Sequence, residues 1–132
     1  MFLFLLLQLF YFNGQTVVTT LYGIPNCDTV KKAQKWLAQN NIPYTFHDYR
    51  KDGLDEQLLA SFFVNLSWLD LLNKRSTSYR ALTNEQKESL DENSVIALFI
   101  EFPTLIKRPL LISENRTLLG FKAESYQTFF SA

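Results

Sequence analysis

Beyond residue 16 the chain switches between two hydrophobic periods, and each switch marks an element. Val17-Val18-Thr19-Thr20-Leu21-Tyr22 is β-branched and aromatic and is stopped by Gly23-Ile24-Pro25-Asn26, which predicts a strand and then a tight turn. From Cys27 to Asn40, the residues Val30, Ala33, Trp36 and Leu37 recur at helical spacing, with Lys31, Lys32 and Lys35 opposite them. Asn40-Asn41 ends this helix ahead of Pro43, and residues 44–49 read as a second strand. Strand, helix and strand in that order predict a βαβ unit with a right-handed crossover.

The middle of the chain predicts helices. Asp55-Glu56 opens a segment with Leu58, Leu59, Phe62, Phe63 and Leu66 on one face, its acidic start suited to the helix dipole. Residues 68–72 form a further apolar turn, and Asn73-Lys74-Arg75-Ser76-Thr77-Ser78 reads as a polar, basic loop. Thr83 and Gln86 have the spacing of a capping box for a short helix to Leu90. Val95, Ile96, Leu98, Phe99 and Phe102 predict a buried helix that Pro103 stops. After Arg108-Pro109, Leu110-Leu111-Ile112 and Thr117-Leu118-Leu119 read as strands joined by a turn over residues 113–116, and residues 124–130 as a final amphipathic helix. No repeat or low-complexity linker interrupts residues 17–132, so one α/β domain is expected, with helices inserted between a β-α-β half and a β-β-α half.

Residues 1–12 are of another kind. They are apolar at every position except Gln8, and no charged side chain precedes Asp28. As a helix this run would be about 18 Å long against a membrane core of about 30 Å, so no membrane span is expected. It lacks the basic start and small-residue cleavage site of a secretory signal. An atypical signal or anchor, an interfacial segment and translated sequence upstream of the true start remain open. Residues 1–16 are therefore set apart as a leader or start-site artefact.

Composition excludes several classes. With 13 basic and 13 acidic side chains the net charge is zero, which argues against direct contact with nucleic acid or anionic lipid. One Cys and one His exclude an internal disulfide framework and a zinc site of the usual spacing, and no metal is expected. Twelve Phe, six Tyr and two Trp supply a core without such staples.

Cys27 is the candidate for chemistry. At a helix start it meets unpaired N–H groups and the positive end of the helix dipole, which favour a thiolate, and Lys31 and Lys32 push the same way. Asp28 opposes them, and a small buried hydrophobe is the other reading of a lone Cys. With Val30 where a C-x-x-C motif would carry its second cysteine, any resolving thiol must come from another molecule. Arg108-Pro109 is the second feature. If its strand runs beside the first, Arg108 leans over the Cys27 turn and can bind an oxyanion or carboxylate; otherwise it is an ordinary solvated Arg. Arg75 and Arg80 lie in a loop rich in hydroxyls, and His47 reads as structural rather than as a catalytic base.

The segments YGIPNCDTVKKAQKWLAQNNIPYTFHDYRKDGLD, LLNKRSTSYRAL, PTLIKRPLL and LLGF together resemble the arsenate reductase-like (ArsC/Spx) family, in its small YffB-type branch. The resemblance covers nearly all of the chain beyond the leader. It implies a thioredoxin-like fold with a helical insertion and a cis Pro109 facing the active-site loop. It makes Cys27 the nucleophile and Arg108 the residue holding an oxyanion near the thiolate, with Pro109, Asn26, Lys31 and Arg75 as further substrate- or glutathione-binding residues. The family's second basic residue has only a shifted counterpart in Asn73-Lys74-Arg75, and its third arginine has none near Leu119-Gly120. The implied activity is a cytoplasmic, monomeric, monothiol thiol–disulfide oxidoreductase with no bound cofactor and glutathione as co-substrate. The alternatives are an Spx-like regulator that binds RNA polymerase without catalysis, and arsenate reduction coupled to glutathione and glutaredoxin.

Overall fold

The computed structural model describes residues 11–12 and 15–131, with side chains from Val17 onward. Most of the apolar leader, residues 1–10 and 13–14, lies outside the described residues, so the readings of that segment rest on its sequence. The chain divides into two compact units, one built from residues up to His47 together with Arg108 onward, the other from residues 48–107. The second is the stretch inserted between the two halves of the first.

In the first unit, β1 (Tyr11–Phe12) and β2 (Gln15–Thr16) pair as a short antiparallel ladder. A four-stranded sheet follows, in the order β4 (Thr45–Asp48), β3 (Thr19–Gly23), β5 (Leu110–Ser113), β6 (Arg116–Leu119). β3 and β5 are antiparallel, with Thr19 opposite Ser113 and Tyr22 opposite Leu110. Thr19 Oγ1 and Ser113 Oγ, both buried, satisfy each other at 2.8 Å. The β5–β6 hairpin turns on Glu114 and Asn115, with φ of 52° and 66°, the left-handed pair that matches the twist of the flanking strands.

Helix α1 (Asp28–Gln39) buries Val30, Ala33 and Leu37, the face its spacing predicts. Its end is a Schellman motif: Asn41 takes φ 55°, its N–H donates to Ala38 O, and Ile42 N–H reaches back to Leu37 O at 2.9 Å. Asn is the residue after Gly that best tolerates this backbone, which is why Asn40-Asn41 ends the helix. Helix α7 (Ala123–Ser131) contributes the fully buried Tyr126. Leu21, Leu111, Ala33, Leu37 and Tyr126 form the core of this unit, and Trp36, Phe121 and Phe130 meet the Tyr126 ring at centroid distances of 5.5, 4.8 and 6.4 Å. Arg116 ties β6 to α7, donating from Nη1 to Phe129 O at 2.8 Å and stacking over the Phe129 ring.

The second unit contains α2 (Glu56–Phe62), α3 (Trp68–Leu71), α4 (Thr77–Arg80), α5 (Asn84–Glu88), α6 (Glu92–Glu101) and a 3-10 turn at Pro103–Leu105. Each of the five α-helices has a polar N-cap: Asp55, Ser67, Ser76, Thr83 and Asp91. The Thr83–Gln86 capping box is present as read from the spacing. Two differences from the sequence reading are local. α2 stops at Phe62, so Leu66 is not on its face. The stretch read as a polar loop contains α4, because Ser76 Oγ both donates to Asn73 O and accepts from the Tyr79 N–H. Backbone bonds from Asn73 N–H to Leu105 O and from Lys107 N–H to Leu71 O, each 2.7 Å, close this unit near Arg108 in sequence.

Candidate thiol site at the β3–α1 junction

Because β3 and β5 are antiparallel and Tyr22 lies opposite Leu110, the end of β3 is beside the start of β5. The turn after Gly23 therefore faces the residues just before Leu110, which are Arg108 and Pro109. The Arg108–Pro109 peptide is cis, and Pro109 O accepts the Gly120 N–H at 2.8 Å, extending the β5–β6 pairing.

Cys27 is the N-cap of α1, with extended backbone at φ −148° and ψ 124°. Its carbonyl accepts the Lys31 N–H at 2.9 Å, the first intrahelical bond. The thiol is free and partly exposed. Sγ makes no capping hydrogen bond of regular geometry, yet it lies in the field of the first helical turn. Burial pushes its pKa up. The Val30 N–H, the Arg108 guanidinium as donor and as charge, and the Thr29 N–H together outweigh burial and hold the thiol below its ordinary value. The thiolate is thus favoured by two independent sources, helix backbone and one arginine.

Arg108 has donors left over. Nε and Nη1 are buried and, among the described residues, have no hydrogen-bond partner. A buried guanidinium nitrogen without an acceptor is costly, so the arrangement suits a bound anionic group beside the thiolate.

The other sequence candidates fall differently. Asn26 and Lys31 are exposed beside Cys27, one in the turn and one on α1. Arg75 belongs to the other unit, where it is exposed and its carbonyl accepts from Arg80 Nη2. His47 stacks against Tyr22 with ring centroids 5.0 Å apart. Among the described residues no group of His, Cys, Asp and Glu could hold a metal ion, and no helix is long and apolar enough to cross a membrane.

One positioning contact escaped the sequence reading. A Cβ on Gly23 would stand 3.0 Å from Val30 Cγ2, so any larger residue here makes Val30 shift, and glycine lets the strand meet the helix without strain. In the sequence Gly23 marks only the end of a strand. Its place seven residues before a buried Val on the following helix was the available signal.

A sheet of this order with helices packed on it, a lone activated thiol at a strand-to-helix turn and a cis proline on the neighbouring strand define a thioredoxin-fold thiol protein. The chain belongs to the ArsC family, whose family model matches residues 22–129. It is 48% identical over 112 residues to an uncharacterized protein of Haemophilus influenzae, covering 85% of this chain and 98% of that one. It is 30% identical over 114 residues to the global transcriptional regulator Spx 1 of Bacillus cereus, covering 85% and 86%. Among solved structures, the YFFB protein superposes with a TM-score of 0.78 at 41% identity, covering 84% of this chain and 97% of the other.

Proposed function

We propose that this protein is a cytoplasmic, monomeric monothiol oxidoreductase that uses glutathione as its external reductant. The observation that carries this reading is Cys27 at the N-cap of α1, its thiol made more acidic by the Val30 N–H and Arg108 against the opposing effect of burial. In the first step the Cys27 thiolate attacks a disulfide R–S–S–R′. The Cys27–S–S–R bond forms, the R–S–S–R′ bond breaks, and R′S⁻ leaves and takes a proton. A glutathione thiolate then attacks the R sulfur, freeing Cys27 and leaving R bound to glutathione. A second glutathione completes the reduction to RSH and oxidised glutathione, so the two electrons come from two glutathione thiols. Val30, buried at the C-x-x-C position, leaves no internal thiol to resolve the intermediate. Arg108, with Nε and Nη1 uncommitted, orients a carboxylate of glutathione. No bound cofactor enters the scheme.

Glutathione-dependent reduction of hydroxyethyl disulfide tests the reading: Cys27→Ser abolishes turnover, and comparable activity in that variant overturns it. Arsenate is a poor substrate in this scheme, because Leu119-Gly120 supplies no arginine as a further oxyanion ligand and the nearest, Arg116, is held by Phe129.

The identity with Spx 1 favours a second reading, a regulator that contacts RNA polymerase. Recovery of polymerase subunits by wild type and by Cys27→Ser alike, with no disulfide turnover, selects that reading over the enzyme.

A further inference from the structure

We propose that the exposed face of α1 is a docking track for an acidic polypeptide whose disulfide Cys27 attacks. The proposal rests on the oxidoreductase reading above and names the substrate class for the same site.

Net zero charge conceals an uneven distribution. The unit that carries Cys27 has six basic and three acidic side chains. Three of those six are Lys31, Lys32 and Lys35, all exposed on α1. With Asp28 they follow three-, four- and seven-residue offsets and so form one stripe that starts next to Cys27. Cations are favoured at a helix C-terminus, yet the last turn of α1 has none. The helix carries its lysines toward the thiol, where they serve an incoming anion rather than the helix dipole. Arg108, with two buried donors unpartnered just ahead of β5, adds positive charge at the thiol, against the one acidic member of the stripe, Asp28.

The length of the stripe selects the occupant. At 1.5 Å per residue, Lys35 lies about 12 Å along the axis from Cys27. A tripeptide thiol extends only about 7 Å to either side of its cysteine. A polypeptide with carboxylates three or four residues from its cysteine covers the whole track. A second copy set stripe against stripe does not fit, because two identical lysine stripes repel, and this chain's one cysteine leaves it no internal disulfide to offer. The chemistry is the exchange already written: the partner's S–S bond breaks, one sulfur joins Cys27, and the other leaves as a thiolate that is protonated by solvent.

The test uses two synthetic peptides, each with a central cysteine capped as its mixed disulfide with 2-mercaptoethanol. One carries Glu and the other Lys three and four residues from the cysteine. Loss of free Cys27 is followed by mass spectrometry, and each rate is divided by that for neutral hydroxyethyl disulfide. At about 10 mM salt the acidic peptide reacts about tenfold faster than the basic one, and at about 150 mM the ratio falls to about threefold. The triple variant Lys31→Gln, Lys32→Gln, Lys35→Gln brings the ratio to near one. Lys35→Gln alone slows the acidic peptide and leaves oxidised glutathione unaffected. Equal rates for the two peptides in wild type, or a preference that survives the triple variant, overturn the docking track. Equal slowing of oxidised glutathione by Lys35→Gln reassigns the stripe to small anions and overturns the polypeptide claim. A Cys27 inert to every probe, neutral disulfide included, overturns instead the oxidoreductase reading beneath it.

Discussion

Replacing Arg108 with Gln isolates the arginine's part in making Cys27 a nucleophile. The guanidinium acts on Sγ both by donating a hydrogen bond and by its charge, and these follow burial and the Val30 N–H among the influences on the thiol. A hydrogen bond to a charged group contributes about 1.5–3 kcal/mol, and Cys27 is exposed enough that solvent screening holds the effect to the lower end. Arg108→Gln removes the charge and leaves a weaker, neutral donor, so the thiol moves up, back toward its ordinary value. The assay is the rate of iodoacetamide alkylation across pH, followed by mass; Cys27 is the chain's one cysteine, so the signal needs no assignment. The alkylation profile therefore moves to higher pH in the variant, while the more basic thiolate is intrinsically the better nucleophile and offsets part of the loss in rate. The sign of the stability linkage follows from the same shift. A thiol whose pKa is lowered by folding adds stability that is full above its unfolded value and is lost as pH falls through the lowered folded value. Cys27→Ser therefore removes a rise in stability on the alkaline side and leaves acid behaviour unchanged. An alkylation profile that is the same in wild type and Arg108→Gln would refute the role given to the arginine.

Three further outcomes are expected from packing and capping. Gly23→Ala drives a Cβ to 3.0 Å from Val30 Cγ2 and lowers stability by about 1–3 kcal/mol in urea titration; Val30→Ala in the same chain recovers part of that loss, whereas strict additivity would deny the contact. Tyr126→Phe removes a hydroxyl that is buried without a partner among the described residues and whose pKa burial raises, so the melting temperature rises by about 4 °C; a lower melting temperature would show that the hydroxyl is satisfied. Asp91 caps α6 and is held below the ordinary carboxylate pKa by the Ser94 N–H, against partial desolvation, with the Ser94 hydroxyl and the Asn93 N–H assisting. Its contribution is present above the ordinary carboxylate value and lost as pH falls through the lowered one, so wild type loses more stability than Asp91→Asn between neutral pH and about pH 3.

What the sequence made legible was whatever a local pattern encodes. The buried face of α1, its Asn-Asn ending and the Thr83–Gln86 box each depend on residues within a few positions of one another. The short helix α4 did not show, because its cap uses a bond between Ser76 and the carbonyl of Asn73 that competes with loop geometry on nearly equal terms. The pairing of Cys27 with Arg108 is long-range, set by the register that places Tyr22 opposite Leu110. The residue pattern offered it only on condition that this strand ran beside the first, with an ordinary solvated Arg as the other reading; the family resemblance implied it outright.

The same geometry explains why one thiol is all this site holds. Position 30 lies one turn beyond Cys27, where a second cysteine would resolve a mixed disulfide internally. Here Val30 is fully buried, and its Cγ2 fills the space that a glycine leaves at the end of β3. The branched side chain seats the helix start against the strand, and the helix start supplies the Thr29 and Val30 N–H groups that favour the thiolate. A cysteine at that position would give up one methyl group of this contact along with its shape, loosening the junction that activates Cys27. The apolar residue that denies the site an internal partner is thus the one that seats Cys27 against the strand, and in the proposed mechanism resolution falls to an external thiol.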